Sequence, residues 1–115
     1  MLMSKRKAII AIPTGNGSTF VEENQIACCL AEGSYTKIIL VDGSEFLIAK
    51  TLSKVLVGLS PEFFVRIHKS HFVNITHITN YRYFNGKHTL TIHGGIELTI
   101  SRSWKEAFFQ RFRTL

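Results

Sequence analysis

The sequence predicts a mostly β protein of about eight to ten short antiparallel strands with two short helices. Two-residue turn signals separate β-prone runs at Asp42-Gly43, Asn85-Gly86 and Gly94-Gly95. Several runs alternate apolar and polar residues, as half-buried strands do. Only two segments carry apolar residues at helical spacing. Because no long helix separates the strands, the pattern argues against a parallel α/β sheet.

Strands fill most of the first half of the chain. They are predicted at residues 8–12, 19–21, 26–30, 35–41 and 45–48. Polar clusters rich in turn-forming residues separate them, at residues 14–18, 22–25 and 31–34. Pro13 is expected to end the first strand, because proline cannot donate a ladder hydrogen bond.

One helix is predicted in the middle of the chain and one at its end. Apolar residues recur at helical spacing over residues 51–59, with Thr51 placed as a cap and Pro61 beyond the end. The second helix is predicted over residues 104–113, with a capping box at Ser103-x-x-Glu106. Aromatic residues spaced four apart form a core-facing stripe along it. The stripe consists of Trp104, Phe108 and Phe112.

A polar, cationic corner interrupts the apolar stretch at residues 64–75. The stretch begins as a strand, turns at Lys69-Ser70-His71, and becomes apolar again around Asn74. Asn74 is placed to cap a short turn before Ile78. Further strands are predicted at residues 81–84, 87–93 and 96–100. A strand that presents a short polar corner is a common scaffold for a binding loop.

Length and charge indicate one domain with a polyanionic partner. The chain has 115 residues, and residues 1–7 are expected to be a flexible basic lead-in to a domain over residues 8–115. The formal net charge is +6 and the isoelectric point is near 9.6. These values favour nucleic acid as a partner. The alternative interpretation is a basic protein without a polyanionic partner. No apolar run reaches the roughly 18–20 residues that span a bilayer, and no secretory signal is apparent, so no membrane partner is expected.

The two cysteines, Cys28 and Cys29, are adjacent. Neighbouring strand residues face opposite sides of a sheet, so a bridge between them would be strained. We expect two buried small side chains rather than a redox pair. Such cysteine usage is typical of a reducing compartment, which makes a cytoplasmic location the expectation.

Metal binding and catalysis find little support. His68 and His71 would face opposite sides of an extended strand unless the corner brought them together, and zinc needs three or four convergent ligands. No nucleophile elbow is present. Gly15-Asn16-Gly17 lacks the helix and lysine of a phosphate loop. The sequence therefore predicts neither enzymatic activity nor a cofactor.

Two cations have positions that suit DNA contact. Lys69 lies at the corner, and Arg102 lies between the last strand and the last helix, between Ser101 and Ser103. Lysine and arginine can donate to guanine O6 and N7, and small hydroxyls suit phosphate. At exposed junctions such side chains can enter a groove.

Three segments carry a family resemblance. They are Phe64-Val65-Arg66-Ile67-His68-Lys69-Ser70 followed by Val73-Asn74 and Ile78, Leu98-Thr99-Ile100-Ser101-Arg102, and Ala31-Glu32-Gly33-Ser34-Tyr35-Thr36-Lys37. In this order they closely resemble the LytTR family, the DNA-binding domains of LytR/AgrA/AlgR-type bacterial response regulators. The resemblance extends from about Ile9 to Phe112.

This resemblance implies an elongated β-β-β sandwich that binds duplex DNA sequence-specifically. Loops would enter successive major grooves and bend the DNA. By match to the family, the base-reading residues would be Tyr35, Lys69 and Arg102. Phosphate-contacting or supporting neighbours would be Ser34, His68, Ser70 and Ser101. Lys37 is expected to contact phosphate alone, and Asn74 to orient the corner from behind.

The expected partner is double-stranded promoter DNA, bound by two copies on paired half-sites. Family members usually follow a receiver domain, so a receiver or sensor partner outside this chain is implied. One alternative is a protein-interaction module on the same scaffold. RNA binding would need exposed stacking aromatics, for which the candidates are Tyr35, Tyr81 and Tyr83.

Overall fold

Ten strands and two helices make up the computed structural model, which describes residues 8–115. The predicted lead-in at residues 1–7 lies outside the described residues. The strands are β1 Ile9–Thr14, β2 Gly17–Glu22, β3 Ile26–Glu32, β4 Tyr35–Leu40, β5 Glu45–Ile48, β6 Phe64–His68, β7 His71–Asn74, β8 Ile78–Phe84, β9 Lys87–Ile92 and β10 Ile96–Ile100. The helices are α1 Leu52–Val57 and α2 Arg102–Phe109. Single 3₁₀ turns occupy Glu23–Gln25 and Ile75–His77.

The strands form three antiparallel sheets. β1 and β2 form a hairpin, β5-β4-β3-β7-β6 form a central five-stranded sheet, and β10-β9-β8 form a three-stranded sheet. The mostly β class with short antiparallel strands and two short helices is thereby confirmed. Only the β3–β7 pair joins strands that are distant in sequence within the central sheet.

Each face of the central sheet covers a separate apolar core. The β1–β2 hairpin and α1 cover one face, where Ile12, Ile38 and Phe72 are buried. The three-stranded sheet and α2 cover the other face, where Leu90 and Phe108 are buried. Both faces of the central sheet therefore pack against largely apolar cores.

The adjacent cysteines contribute one side chain to each core. Cys29 packs into the first core and Cys28 into the second, and both are free thiols with no exposed surface. Burial raises the pKa of Cys28 to about 12, with a smaller contribution from Glu45, and burial also raises the pKa of Cys29. The expectation of two buried small side chains is confirmed.

The predicted hairpin turns form where the sequence placed them. Asn85 has a φ of 53° and Gly86 a φ of 75°, the left-handed pair that a two-residue turn between β8 and β9 requires. Asn74 also behaves as predicted, because its Oδ1 accepts a hydrogen bond from the Thr76 amide at 3.0 Å. Its Nδ2 donates to the Ile26 carbonyl at 3.0 Å, which ties this turn to β3.

The end of the first strand and both ends of the last helix differ from the prediction. Pro13 lies inside β1, opposite Ser18. A two-stranded sheet leaves one side of β1 unpaired, so a residue without an N–H fits there. The last helix begins at Arg102 with Ser101 at the N-cap, and no side-chain hydrogen bond caps it. The capping box predicted at Ser103 therefore does not form, and the helix ends at Phe109.

Helix α2 covers the outer edge of β6. The Arg111 guanidinium donates to the carbonyls of Pro61, Glu62 and Phe64, at 2.8, 2.7 and 3.4 Å. At the other end, the Ser101 amide donates to the Ile67 carbonyl at 2.8 Å. The first turn of α2 is thereby fixed beside the end of β6. No helix within residues 8–115 is long and apolar enough to cross a membrane.

Candidate nucleic-acid interface

Three exposed connections meet at one end of the central sheet. They are the β3–β4 turn at Gly33-Ser34, the β6–β7 turn at Lys69-Ser70, and the β10–α2 junction at Ser101-Arg102. The Ala31 amide donates to the Ser70 carbonyl at 2.9 Å, which joins the first two. The Ser101–Ile67 backbone bond joins the second and third. We call these three connections together the polar edge.

Arg66 fixes the β6–β7 turn. Its guanidinium lies 5.3 Å from the centre of the Trp104 ring, and its Nε donates to the His68 carbonyl at 3.3 Å. Its Nη2 donates to the Lys69 carbonyl. One side chain thus connects β6, the turn and α2. The sequence reading placed Arg66 correctly on the polar face of the strand but missed this role, which depends on α2 lying alongside.

Lys69 is exposed at the tip of this turn, and Ser70 is half-buried behind it. The Ser70 amide donates to His68 Nδ1 at 3.0 Å. Among residues 8–115, Lys69 forms no ion pair. The turn therefore presents a free ammonium group on a backbone that is held by hydrogen bonds.

The two histidines of the corner are brought together. Their rings stack with centroids 4.4 Å apart, because the turn places His68 opposite His71. His71 Nδ1 lies 3.2 Å from the Thr99 carbonyl, which can only accept. Burial lowers the pKa of His71, and the charge of His68 lowers it further, against the effect of that hydrogen bond. Residues 8–115 contain no group of three or more potential metal ligands.

The β3–β4 turn contributes Ser34 and Tyr35. Ser34 is exposed, and Tyr35 begins β4 with 47% of its surface accessible. Lys37 lies two residues further, with its Nζ 3.0 Å from Glu32 and 3.7 Å from Glu45. The hydrogen bond and charge of Glu32 raise the pKa of Lys37. Its charge is already paired, so it is less available to phosphate than Lys69.

Arg102 is the first residue of α2 and is exposed, whereas Ser101 before it is half-buried. Within the described part of the chain the Arg102 guanidinium has no carboxylate partner. The backbone at Ser101 is fixed, and the side chain of Arg102 is free. The guanidinium can therefore extend toward a ligand and donate two parallel hydrogen bonds without breaking an internal one.

Lys50 is a further cation at this end of the sheet, and the sequence reading did not single it out. It follows β5 and is exposed, and its carbonyl accepts a hydrogen bond from Thr36 Oγ1 at 2.7 Å. Because the β4–β5 register pairs Ile48 with Thr36, Lys50 lies beside the β3–β4 turn. The Asp42-Gly43 turn signal fixes that register and could have indicated the position of Lys50.

The fold and the polar edge define a small basic β protein with a surface suited to a polyanion. The family model of the LytTr DNA-binding domain matches residues 16–113, so the chain belongs to the LytTR family of DNA-binding domains. No curated protein matches the chain.

A solved structure shares the fold. It is described as the LytTr DNA-binding domain of a response regulator from Bacillus cereus, and its TM-score against this chain is 0.78 at 20% sequence identity. The match covers 92% of this chain and 97% of that chain. The three-sheet arrangement is thus found in another member of the family, while the roles of individual residues at the polar edge stay predictions.

Proposed function

We propose that this chain is a transcription regulator that binds duplex DNA sequence-specifically through the polar edge. One observation carries the proposal: backbone hydrogen bonds hold three exposed turns from distant parts of the sequence side by side, and two of them carry the unpaired cations Lys69 and Arg102. Membership of the LytTR family and the net charge of +6 support the same partner.

Base readout is assigned to the residues that can extend furthest from the edge. Arg102 and Lys69 donate to base edges in the major groove, and Tyr35 reads from the third turn. Hydroxyl and imidazole groups behind them contact phosphate and set the register. These are Ser34, His68, Ser70 and Ser101. Lys37 contacts phosphate only by exchanging its carboxylate partners, so its contribution is small.

Loops entering successive major grooves would let one copy read a half-site, and two copies would occupy paired half-sites. Half-sites one helical turn apart would place both copies on the same side of the duplex. Control by a phosphorylated receiver would come from a separate domain or partner. The setting of such a regulator is the cytoplasm.

The competing function is a protein-interaction module that uses the same edge. The two unpaired cations at the edge favour DNA, because an exposed ammonium or guanidinium gains most from displacing counterions around phosphate. The test is the affinity of the purified chain for labelled duplexes over a series of salt concentrations. We expect the logarithm of the binding constant to fall linearly with that of the salt concentration. Binding that is absent or insensitive to salt would overturn the proposal.

A further inference from the structure

We propose that the tip of the β8–β9 hairpin and the first turn of α2 form a second phosphate-binding surface beside Arg102. The inference rests on the proposed function, and it adds a contact that neither the family resemblance nor the sequence reading assigned. The ligand is the sugar–phosphate backbone of the same duplex, immediately beside the base pair that Arg102 reads.

A groove of about 360 Å³ separates the hairpin tip from α2. Its lining comes from β8, β9, β10, the turn between β8 and β9, and the first turn of α2. The lining residues are Tyr83, Gly86, Lys87, His88, Thr99, Ile100, Arg102 and Lys105. None of these eight residues is acidic, and three are lysine or arginine.

Strand register explains why these cations lie together. His88 pairs with Ile100 across the β9–β10 ladder. Lys87 precedes His88 by one residue, and it lines the groove together with Arg102. Lys105 follows Arg102 by three residues, which places both on one side of α2. The hairpin and the helix thus contribute cations on either side of Arg102.

The charges in the groove are not balanced by neighbouring carboxylates. Neither Lys87 nor Lys105 forms an ion pair with any residue in the range 8–115. Partial desolvation lowers the pKa of His88, and the positive charges of Lys105 and Arg102 lower it further. A bound phosphate would relieve this accumulation of like charge.

A second, larger cavity beside the groove provides a contrast. It has a volume of about 590 Å³ and shares Tyr83, Lys87 and Thr99 with the groove. Its lining includes Glu97, which lies 3.7 Å from Arg82. The groove beside α2 has no acidic residue in its lining, so it suits a polyanion better than this cavity does.

The floor of the groove is ordered. The Tyr81 hydroxyl lies 2.6 Å from His88 Nδ1, and the Tyr83 ring lies 4.7 Å from the His88 ring. Tyr81 in turn packs edge-on against Phe109 of α2 at 5.0 Å. These contacts hold the hairpin against the helix, so a phosphate would meet a preformed set of donors.

The test compares two variants of the whole chain on the duplex that the wild type binds best. One is the double variant Lys87→Ala, Lys105→Ala. The control is Arg113→Ala, which removes an exposed cation beyond the far end of α2. Each lost phosphate contact should reduce the salt slope by about 0.9. We therefore expect the double variant to lose nearly two units of slope, with unchanged preference between sequences, and the control to lose none.

Each outcome separates the two proposals. Suppose that the wild type prefers one duplex and that the double variant binds it with the same salt slope as Arg113→Ala. This result overturns the proposed phosphate-binding surface and leaves the proposed function intact. If the wild type binds every duplex equally, the proposed sequence-specific binding fails. A reduced salt slope for the double variant would then still support the phosphate-binding surface. If the wild type binds no duplex, both fail. Thermal unfolding of the variants controls for folding, with Lys87→Gln, Lys105→Gln as a second pair.

Discussion

At the scale of single residues, the cations of this chain differ in whether a carboxylate already holds them. Lys37 and Arg82 lie within 4 Å of glutamates, whereas Lys69 and Arg102 have no such partner among residues 8–115. An exposed ion pair contributes little to stability, but it lowers the gain from binding another anion. Ion pairing with glutamate therefore distinguishes the cations that are available to bind DNA from those whose charge is already compensated.

Arg102→Ala should relax specificity at one base pair. Loss of a guanidinium that donates to a base edge costs about 1–3 kcal/mol in discrimination. Competition between duplexes that differ at single positions measures it, with Arg113→Ala as the matched loss of charge. Discrimination unchanged at every position would remove Arg102 from base readout.

Arg66→Lys should weaken DNA binding without a change in net charge. Lysine cannot reproduce the two hydrogen bonds to the His68 and Lys69 carbonyls or the flat contact with Trp104. The turn that carries Lys69 should become less ordered, which faster amide hydrogen exchange at Ser70 would report. The fluorescence of Trp104, the only tryptophan, should also change.

Arg82→Lys is the control, because it changes an exposed arginine of the three-stranded sheet in the same way. If the Arg66 variant keeps both its affinity and its slow exchange at Ser70, then Arg66 does not position the turn.

At the scale of elements, local rules predict turns better than ends of helices. Asn85-Gly86 takes the left-handed conformation that asparagine and glycine adopt more readily than other residues. The start of α2 is different. Ser101 is bound to Ile67 on another strand, and this tertiary bond begins the helix two residues before the capping box that the sequence suggested. Boundaries set by such contacts cannot be read from nearby residues.

Strand β3 gives a prediction at this scale, because its alternation places one cysteine in each core. The raised thiol pKa values, about 12 for Cys28, mean that almost no thiolate exists near neutral pH. Both thiols should resist a disulfide reagent in the native chain and react once denaturant unfolds it. The number of thiols that react is counted in the native and in the denatured chain. Rapid reaction of either thiol in the native state would contradict the packing of β3.

At the scale of the whole molecule, one long-range pairing creates the polar edge. β3 pairs with β7, which brings the β6–β7 turn against the β3–β4 turn although some 35 residues separate them. Periodicity identified both strands but could not pair them. The layering of three sheets followed from the family resemblance, and so did the grouping of Tyr35, Lys69 and Arg102. The position of Lys50, the contacts of Arg66 and the groove beside the β8–β9 hairpin could be seen only in the three-dimensional structure, because each depends on contacts between distant segments.

The most direct test of sequence-specific DNA binding by the polar edge is selection of duplexes from a random pool, near physiological salt. The wild-type chain and Arg102→Ala are compared side by side. The wild type should enrich a short motif, repeated at about one helical turn if two copies bind. The variant should enrich the same motif with one base pair no longer specified. Enrichment of no motif by the wild type, or of identical motifs by both chains, would contradict the assignment of sequence reading to this edge.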